Sequence, residues 1–254
     1  MLPSQRINII KEWIFEYLSR MSKPANCLVV GVSGGIDSAV VSTLCAMTGF
    51  KTLAVSMPIM QRPEHHDLSL KHANWLTTRF RNAYKVELDL TRGYIDWEDI
   101  MREFKFKEEH GFANSKSRFR MLSLYQIAAS TNGLVVGTGN KVEDFGVGFY
   151  TKYGDGGVDI SPIADCMKSD VFAMGKELKI LQEIIDAEPT DGLWSDGRTD
   201  FDQLKMTYKE LEGAMQDPSS EKYEQYVSIR KKNLHKMNPI PICKFDGKTT
   251  LENN

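Results

Sequence analysis

The sequence lacks the features that would tie it to a membrane, an oxidising compartment or a nucleic-acid surface. Only four cysteines occur in 254 residues. They are Cys27, Cys45, Cys166 and Cys243, and no pair has zinc-ribbon or redox spacing. The first residues carry Pro3, Lys11, Glu12 and Glu16 among their apolar side chains, unlike a signal peptide. Reduced thiols in a cytoplasmic protein are therefore expected. The longest apolar run near a strand, Cys27–Val30, is far too short to span a bilayer. Lys and Arg number 32 against 34 Asp and Glu, a net charge of −2, which leaves no global electrostatic grip on nucleic acid. Among the five histidines, His65, His66 and His72 cluster in sequence, but no cysteine or carboxylate pattern completes a zinc site around them. Repeats, low-complexity tracts and convincing linkers are also missing. With 41% hydrophobic and 26% charged residues the chain reads as an ordinary globular protein. A single domain over residues 1–254 is expected, with a polar, frayed tail from Lys244 to Asn254.

What is present is a regular alternation. Ile7, Ile10, Ile14 and Leu18 recur at helical spacing, so the chain opens on an amphipathic helix ending near Lys23-Pro24. Cys27–Val32 is short, apolar and β-branched, as a buried strand should be. Ser38–Met47 then reads as a helix, Thr52–Met57 as a strand and Leu68–Arg81 as a helix. Lys85–Leu90 reads as a strand, Asn114–Ser130 as a helix and Leu134–Gly137 as a strand. This order predicts an α/β fold, a doubly wound, mostly parallel sheet with helices on both faces. Beyond it, Gly146–Gly157 holds five glycines and reads as a loop. Asp170–Leu178, Asp202–Met215 and Glu221–Leu234 read as helices. The polar, glycine-containing stretch Glu188–Arg198 is a candidate mobile lid.

The strongest local signal is Gly31-Val32-Ser33-Gly34-Gly35-Ile36-Asp37-Ser38, between a strand and a helix. Its glycines permit positive φ and close approach, so backbone N–H groups can surround phosphate oxygens. The following helix aims its positive dipole end at the same anion. Ser33 and Ser38 add hydroxyls, and Asp37 can hold a magnesium ion on the phosphates. The segment is neither a Walker A loop, lacking Gly-Lys-Ser/Thr, nor the GxGxxG dinucleotide fingerprint. A plain strand-to-helix turn is the simpler alternative, but Ser-Gly-Gly-x-Asp-Ser after a buried strand is more specific than a pair of glycines.

This loop resembles the pyrophosphate-binding loop of the ATP pyrophosphatases, Rossmann-like enzymes that join a carbonyl group to AMP and then displace AMP with a nucleophile. Lys116-Ser-Arg-Phe-Arg-Met121, Gly137–Asp144, Thr151–Asp159, Pro189–Trp194 and His235-Lys236 together are similar to the NAD synthetase family, in collinear order over roughly residues 5 to 242. The resemblance implies ATP contacts at Gly31–Ser38, Thr138, Lys168 and Thr190. It implies contacts to deamido-NAD at Arg118, Lys152, Asp159, His235 and Lys236, with Asp155 a weaker candidate. Asp37 and Glu143 would hold Mg2+. The spacing from Glu143 to Lys152 is one residue longer than in many relatives, so Asp144 competes with Glu143, which is favoured by its distance from Thr138. By physical reading alone, Lys116, Arg118 and Arg120 crowd the start of a helix, where cations are disfavoured unless an anion docks among them. A solvated basic face is the alternative.

The activity implied is ATP-dependent amidation of deamido-NAD by ammonia, through an adenylate that releases pyrophosphate and then AMP. Asp37, Lys168 and Asp159 are the catalytic candidates. Glutamine-dependent relatives carry an additional amidase domain. Here the phosphate loop starts at residue 31 and no Cys–His nucleophile pair is evident, so ammonia is expected, free or delivered by another protein. The resemblance also implies a homodimer, with no nucleic-acid or membrane partner. Two competing readings remain: a tRNA-thiolating pyrophosphatase, which would want a basic surface and catalytic cysteines, and a non-catalytic nucleotide sensor, which would not need both Asp37 and Glu143.

Overall fold

The computed structural model describes residues 1–61, 63–194, 196–243 and 245, with residues 63–65 as backbone only. Its centre is a sheet of four parallel strands, β1 (Cys27–Gly31), β2 (Lys51–Ser56), β3 (Ala83–Glu87) and β4 (Gly133–Val136), in the order β3-β2-β1-β4. The chain steps outward from β1 to β2 to β3 and then returns to the other side of β1. That reversal places a topological switch point between β1 and β4, at the carboxyl ends of the strands where open α/β sheets bind ligands. A single parallel bridge from Val136 to Ile160 extends the sheet beyond β4.

Alternation along β1 divides the core in two, because successive side chains of a strand face opposite ways. Leu28 and Val30 pack with α1 (Pro3–Arg20), α2 (Ile36–Met47) and α6 (Lys168–Glu177). Cys27 and Val29 pack with Val135 and with Ala128 and Leu124 of α5 (Glu109–Thr131) on the other face. α3 (Pro63–Arg79) covers the α2 side of β2 through Ala73 and Leu76. Helices thus cover both faces, as the alternation predicts. The opening helix buries Ile7, Ile10, Ile14 and Leu18, the four residues its periodicity singled out, and stops at Arg20.

α2 is apolar all round, as a helix in the interior must be. Every residue except Asp37 and Met47 is buried. Its hydroxyls are satisfied internally, Ser42 Oγ donating to Ser38 O at 2.7 Å and Thr43 Oγ1 to Ala39 O at 2.7 Å. Ser42 also meets His72 Nε2 at 2.8 Å. Burial pushes the His72 pKa down to about 4, so that ring is neutral in the fold.

Several sequence expectations need correction. α4 (Thr91–Glu103) was not anticipated; it buries only Tyr94 and starts at Leu90 without a side-chain cap, so it lacks both usual signals. α7 (Gln182–Ile185) was also missed. The expected helix Asp202–Met215 is two helices, α8 (Asp200–Leu204) and α9 (Tyr208–Gln216), broken where Lys205 turns left-handed with φ of 54°. Gly146–Gly157 is not all loop, because Gly146 and Val147 close a π-helix over Lys141–Val147. Lys116, Arg118 and Arg120 do not begin a helix. α5 starts at Glu109, capped by the Glu108 carboxylate accepting from Gly111 N at 2.6 Å, so acids hold the positive dipole end and the cations lie well inside. α10 (Tyr223–Met237) runs slightly beyond its expected end. The tail Lys244–Asn254 lies outside the described residues apart from Phe245. Among the described residues no helix is long and apolar enough to cross a membrane.

Candidate active site

The phosphate loop leaves β1 and enters α2 as expected. Gly34 has φ of 93°, a left-handed conformation that a side chain rarely adopts. Gly31 is close-packed, since a Cβ there would stand 3.4 Å from Leu124 Cδ1 and Met57 Cε. Ser33 and Ser38 hold the turn: Ser33 N donates to Ser38 Oγ at 3.2 Å, and Ser38 Oγ donates to Gly35 O at 3.0 Å. Gly35 caps α2 and supplies no side-chain acceptor. The first N–H groups of α2 therefore meet no side-chain cap, the condition under which a helix start receives an anion.

Behind the loop lies a buried polar cluster. Lys168, at the start of α6, puts Nζ 2.6 Å from Asp37 Oδ2 and 2.7 Å from Glu143 Oε1, and its side chain is only 4% exposed. Asn140 links the two acids. Its Nδ2 donates to Asp37 Oδ1 at 2.9 Å, while its Oδ1 accepts from Val142 N and Glu143 N and caps the π-helix. Tyr208 of α9 completes the cluster, its hydroxyl 2.5 Å from Glu143 Oε1 and 2.6 Å from Asp200 Oδ2.

The electrostatics follow from this geometry. Burial opposes the Lys168 charge, but Asp37 and Glu143 outweigh it and hold the ammonium above its usual pKa. Burial also works against Glu143, yet the Lys168 ammonium and the bonds from Lys168, Tyr208 and Asn140 hold that carboxyl below its usual range. Asp37 goes the other way: burial, helped by the Glu143 charge, pushes it up despite Lys168. Glu143 is thus the firmer anion of the pair. Burial raises Asp200 to about 6.

Two carboxyl groups face one ammonium in this cluster. Two hard oxygen donors beside a phosphate loop suit Mg2+, which takes one or two carboxylates and completes its shell with substrate phosphates and water. Among the described residues no group of three or more His, Cys, Asp or Glu is placed to hold a metal ion. Lys168 and Asn140 tie Glu143, rather than Asp144, to the Asp37 side chain. Asp144 is turned against Gly139, where a Cβ would come 1.8 Å from Asp144 Oδ2. Glu143 sits in the π-helix Lys141–Val147, the wide kind of turn often found at functional sites.

The remaining candidates fall into separate groups. Thr138 follows β4 across the switch point from the phosphate loop. Arg118 is exposed and donates from Nε to Lys152 O at 3.2 Å, so these two are brought together. Asp159 accepts from Tyr125 OH at 3.1 Å and from Val135 N at 2.8 Å, and no hydrogen bond joins it to the Lys168 cluster. Asp155 closes its own loop, accepting from Ser117 Oγ at 2.8 Å and Thr151 N at 2.9 Å. His235 is exposed near the end of α10, and Lys236 donates from Nζ to Tyr150 O at 2.6 Å. Thr190 Oγ1 donates to Arg198 O at 3.0 Å within the lid candidate. That segment is pinned to α5, with Lys116 Nζ donating to Leu193 O at 3.0 Å and Trp194 stacked on His110. Sequence reading missed Asn140, Tyr208 and Asp200 altogether.

A parallel α/β sheet with a glycine-rich phosphate loop at its switch point, and acids and a lysine gathered behind that loop, defines a nucleotide-binding enzyme of the ATP pyrophosphatase class. The chain belongs to the NAD synthase family, whose pattern matches residues 6–249. It is a ligase of NAD biosynthesis. It is 34% identical over 235 residues to the NH(3)-dependent NAD(+) synthetase of Carboxydothermus hydrogenoformans, covering 89% of this chain and 93% of that one. Its fold is similar to the NMN synthetase of Francisella tularensis, with a TM-score of 0.87 and 29% identity over 96% of this chain and 100% of that one. It also matches the NH3-dependent NAD synthetase of Campylobacter jejuni, with a TM-score of 0.74 and 24% identity over 96% of this chain and 100% of that one.

Proposed function

We propose that this ligase amidates deamido-NAD to NAD with ammonia and ATP. The observation that carries the reading is the Asp37–Lys168–Glu143 cluster set directly behind the phosphate loop. A carboxylate oxygen of the nicotinate attacks the α-phosphorus of ATP, the bond to the bridging oxygen breaks, and pyrophosphate leaves with its electron pair. Ammonia then attacks the acyl carbon, AMP leaves, and one proton is released. The protein's part is to position the reactants and stabilise charge. The loop amides, the α2 start and Lys168 receive the departing pyrophosphate, while Thr138 and Thr190 contact ATP. Arg118, Lys152, Asp159, His235 and Lys236 take the acid substrate. Mg2+, held by Asp37 and Glu143, neutralises phosphate charge when bound. Closure of the Thr190–Arg198 segment would shield the adenylate from water.

Ammonia as nitrogen donor is supported by the names of the curated relatives, of which the first is matched over 93% of its length. A homodimer is part of the reading, supported by Ile9, Trp13 and Phe15 exposed on α1. So is the cytoplasm, which suits four unpaired cysteines.

One observation favours a second reading. The Francisella NMN synthetase has a higher TM-score, 0.87, than the Campylobacter NAD synthetase, 0.74. Nicotinic acid mononucleotide is then the acid amidated, through the same two steps. Incubation of each acid with Mg2+-ATP and ammonium, read for amide, AMP and ADP, separates these readings. Amide with AMP from deamido-NAD supports the first, and turnover of the mononucleotide alone supports the second. ATP turnover without either amide removes both.

A further inference from the structure

Arg120 is a half-buried cation with no use in the scheme above. Its Nε donates to Met57 O at 3.0 Å, just past β2, and its Nη2 is buried with no hydrogen-bond partner among the described residues. No carboxylate lies within ion-pair distance of it among the described residues. The acids whose charges reach it, Asp155 and Asp191, are engaged elsewhere, Asp155 by Ser117 and Asp191 by Gln203 and the Leu193 amide. Guanidinium stays protonated in proteins, so the charge cannot be discarded. Burial disfavours it, pulling Arg120 down to about 10 without neutralising it. A buried guanidinium nitrogen left without a partner is costly and calls for an explanation, and a bound ligand that supplies the partner is one.

The position says which ligand. Along one side of α5, Leu124 packs at Gly31 where the phosphate loop begins, Arg120 lies one turn earlier, and Lys116 a turn earlier again reaches Leu193 O. Arg120 therefore stands between the phosphate loop and the Thr190–Arg198 segment, at the carboxyl ends of β1 and β2. We propose that Arg120 is a substrate-binding residue whose guanidinium receives an anionic oxygen where the two substrates meet, with Lys116 as its second cation. That oxygen belongs either to the α-phosphate of ATP or to the carboxylate of the nicotinate. The inference rests on the reading that this enzyme adenylates an acid.

The test uses Arg120→Gln, which keeps a donor for Met57 O and removes the charge, and Arg120→Lys, which keeps the charge and loses the planar fork. Affinity for α,β-methylene ATP and, separately, for deamido-NAD and nicotinic acid mononucleotide is measured by calorimetry. R120Q should bind at least one class tenfold or more weakly, and R120K should fall between R120Q and the wild type. A loss confined to the ATP analogue assigns the phosphate, and one confined to the acids assigns the carboxylate. Unchanged affinities for all three ligands in R120Q would overturn the proposal and make Arg120 a strut for Met57. If R120Q does not fold, unchanged affinities in R120K do the same. Wild-type turnover, assayed alongside, separates failure of this inference from failure of the adenylation reading.

Discussion

Tyr208 and Asp200 are joined hydroxyl to carboxyl at 2.6 Å, while the same hydroxyl stands 2.5 Å from Glu143. A tyrosine has one proton to donate, so it cannot serve two ionised carboxylates at these distances. Below about pH 6 the second proton belongs on Asp200, which burial raises to about 6 while Glu143 is held low. With that proton in place, Asp200 could donate to the Tyr208 oxygen while Tyr208 donates to Glu143; once Asp200 ionises, Tyr208 can serve only one of the two acids. The other Asp200 oxygen, Oδ1, is buried without a partner among the described residues. In the neutral acid that atom is a carbonyl-type oxygen, much less costly to leave unpaired than half of a carboxylate.

Tyr208→Phe should therefore act on Glu143 without touching it. Removing the hydroxyl leaves two buried oxygens short of a partner, costing about 1–3 kcal/mol in chemical denaturation. Supporting residues of this kind change metal affinity or activity roughly 10–100-fold. The Mg2+ concentration for half-maximal rate should rise, whereas affinity for the acid substrate should not.

Asp200 gives the stability a definite pH dependence. Its folded pKa is raised from 3.8 to about 6, so the fold prefers the protonated acid. Wild-type stability should fall as pH rises from about 4 to about 6, by about 3 kcal/mol, and level off above. Asp200→Asn imitates the protonated form and removes this slope. The difference in urea midpoint between D200N and wild-type protein should widen over that window; a constant difference would contradict the proton placement.

Lys168→Met should expose the repulsion that the ammonium offsets. Breaking a buried pair leaves uncompensated charge, at a cost of about 3–5 kcal/mol. Asp37 and Glu143 remain, so Mg2+ should raise the melting temperature of the variant more than that of the wild type. Its rate should fall on the order of 10^2 or more. Asp37→Ala should abolish adenylation and keep the fold.

Gly34→Ala tests the loop backbone. A φ of 93° penalises any side chain, and the substitution should cost about 1–2 kcal/mol of stability. Because the same turn aims the amides, binding of pyrophosphate should weaken as well, read by calorimetry.

The sheet was legible because parallel strands buried on both faces are written as β-branched apolar runs, and Cys27–Gly31 and Gly133–Val136 are such runs. The phosphate loop was legible because its glycines and serines are a local pattern. The Asp202–Met215 reading failed because apolar periodicity runs across a break made by Lys205, a residue that carries no turn signal. Thr207-x-x-Glu210 and Thr199-x-x-Asp202 are capping boxes that would have divided it. Asn140, three residues before Glu143, could have been read as the cap it is. Tyr208, Asp200 and Arg120 offered no such signal. Their roles come from contacts across 65, 8 and 63 residues of chain, which only the fold brings about.

The helix carrying the phosphate loop is sealed on every side except at Asp37 and its last residue. Most helix starts can loosen while the rest of a protein stays intact. This one cannot, because unwinding its first turn opens the space between α1, α6 and the sheet. The amides proposed to receive the phosphates are consequently as long-lived as the interior itself. On the proposed function, adaptation to a different acid would therefore leave this helix alone and work through Arg118, Lys152 and His235, which lie outside it.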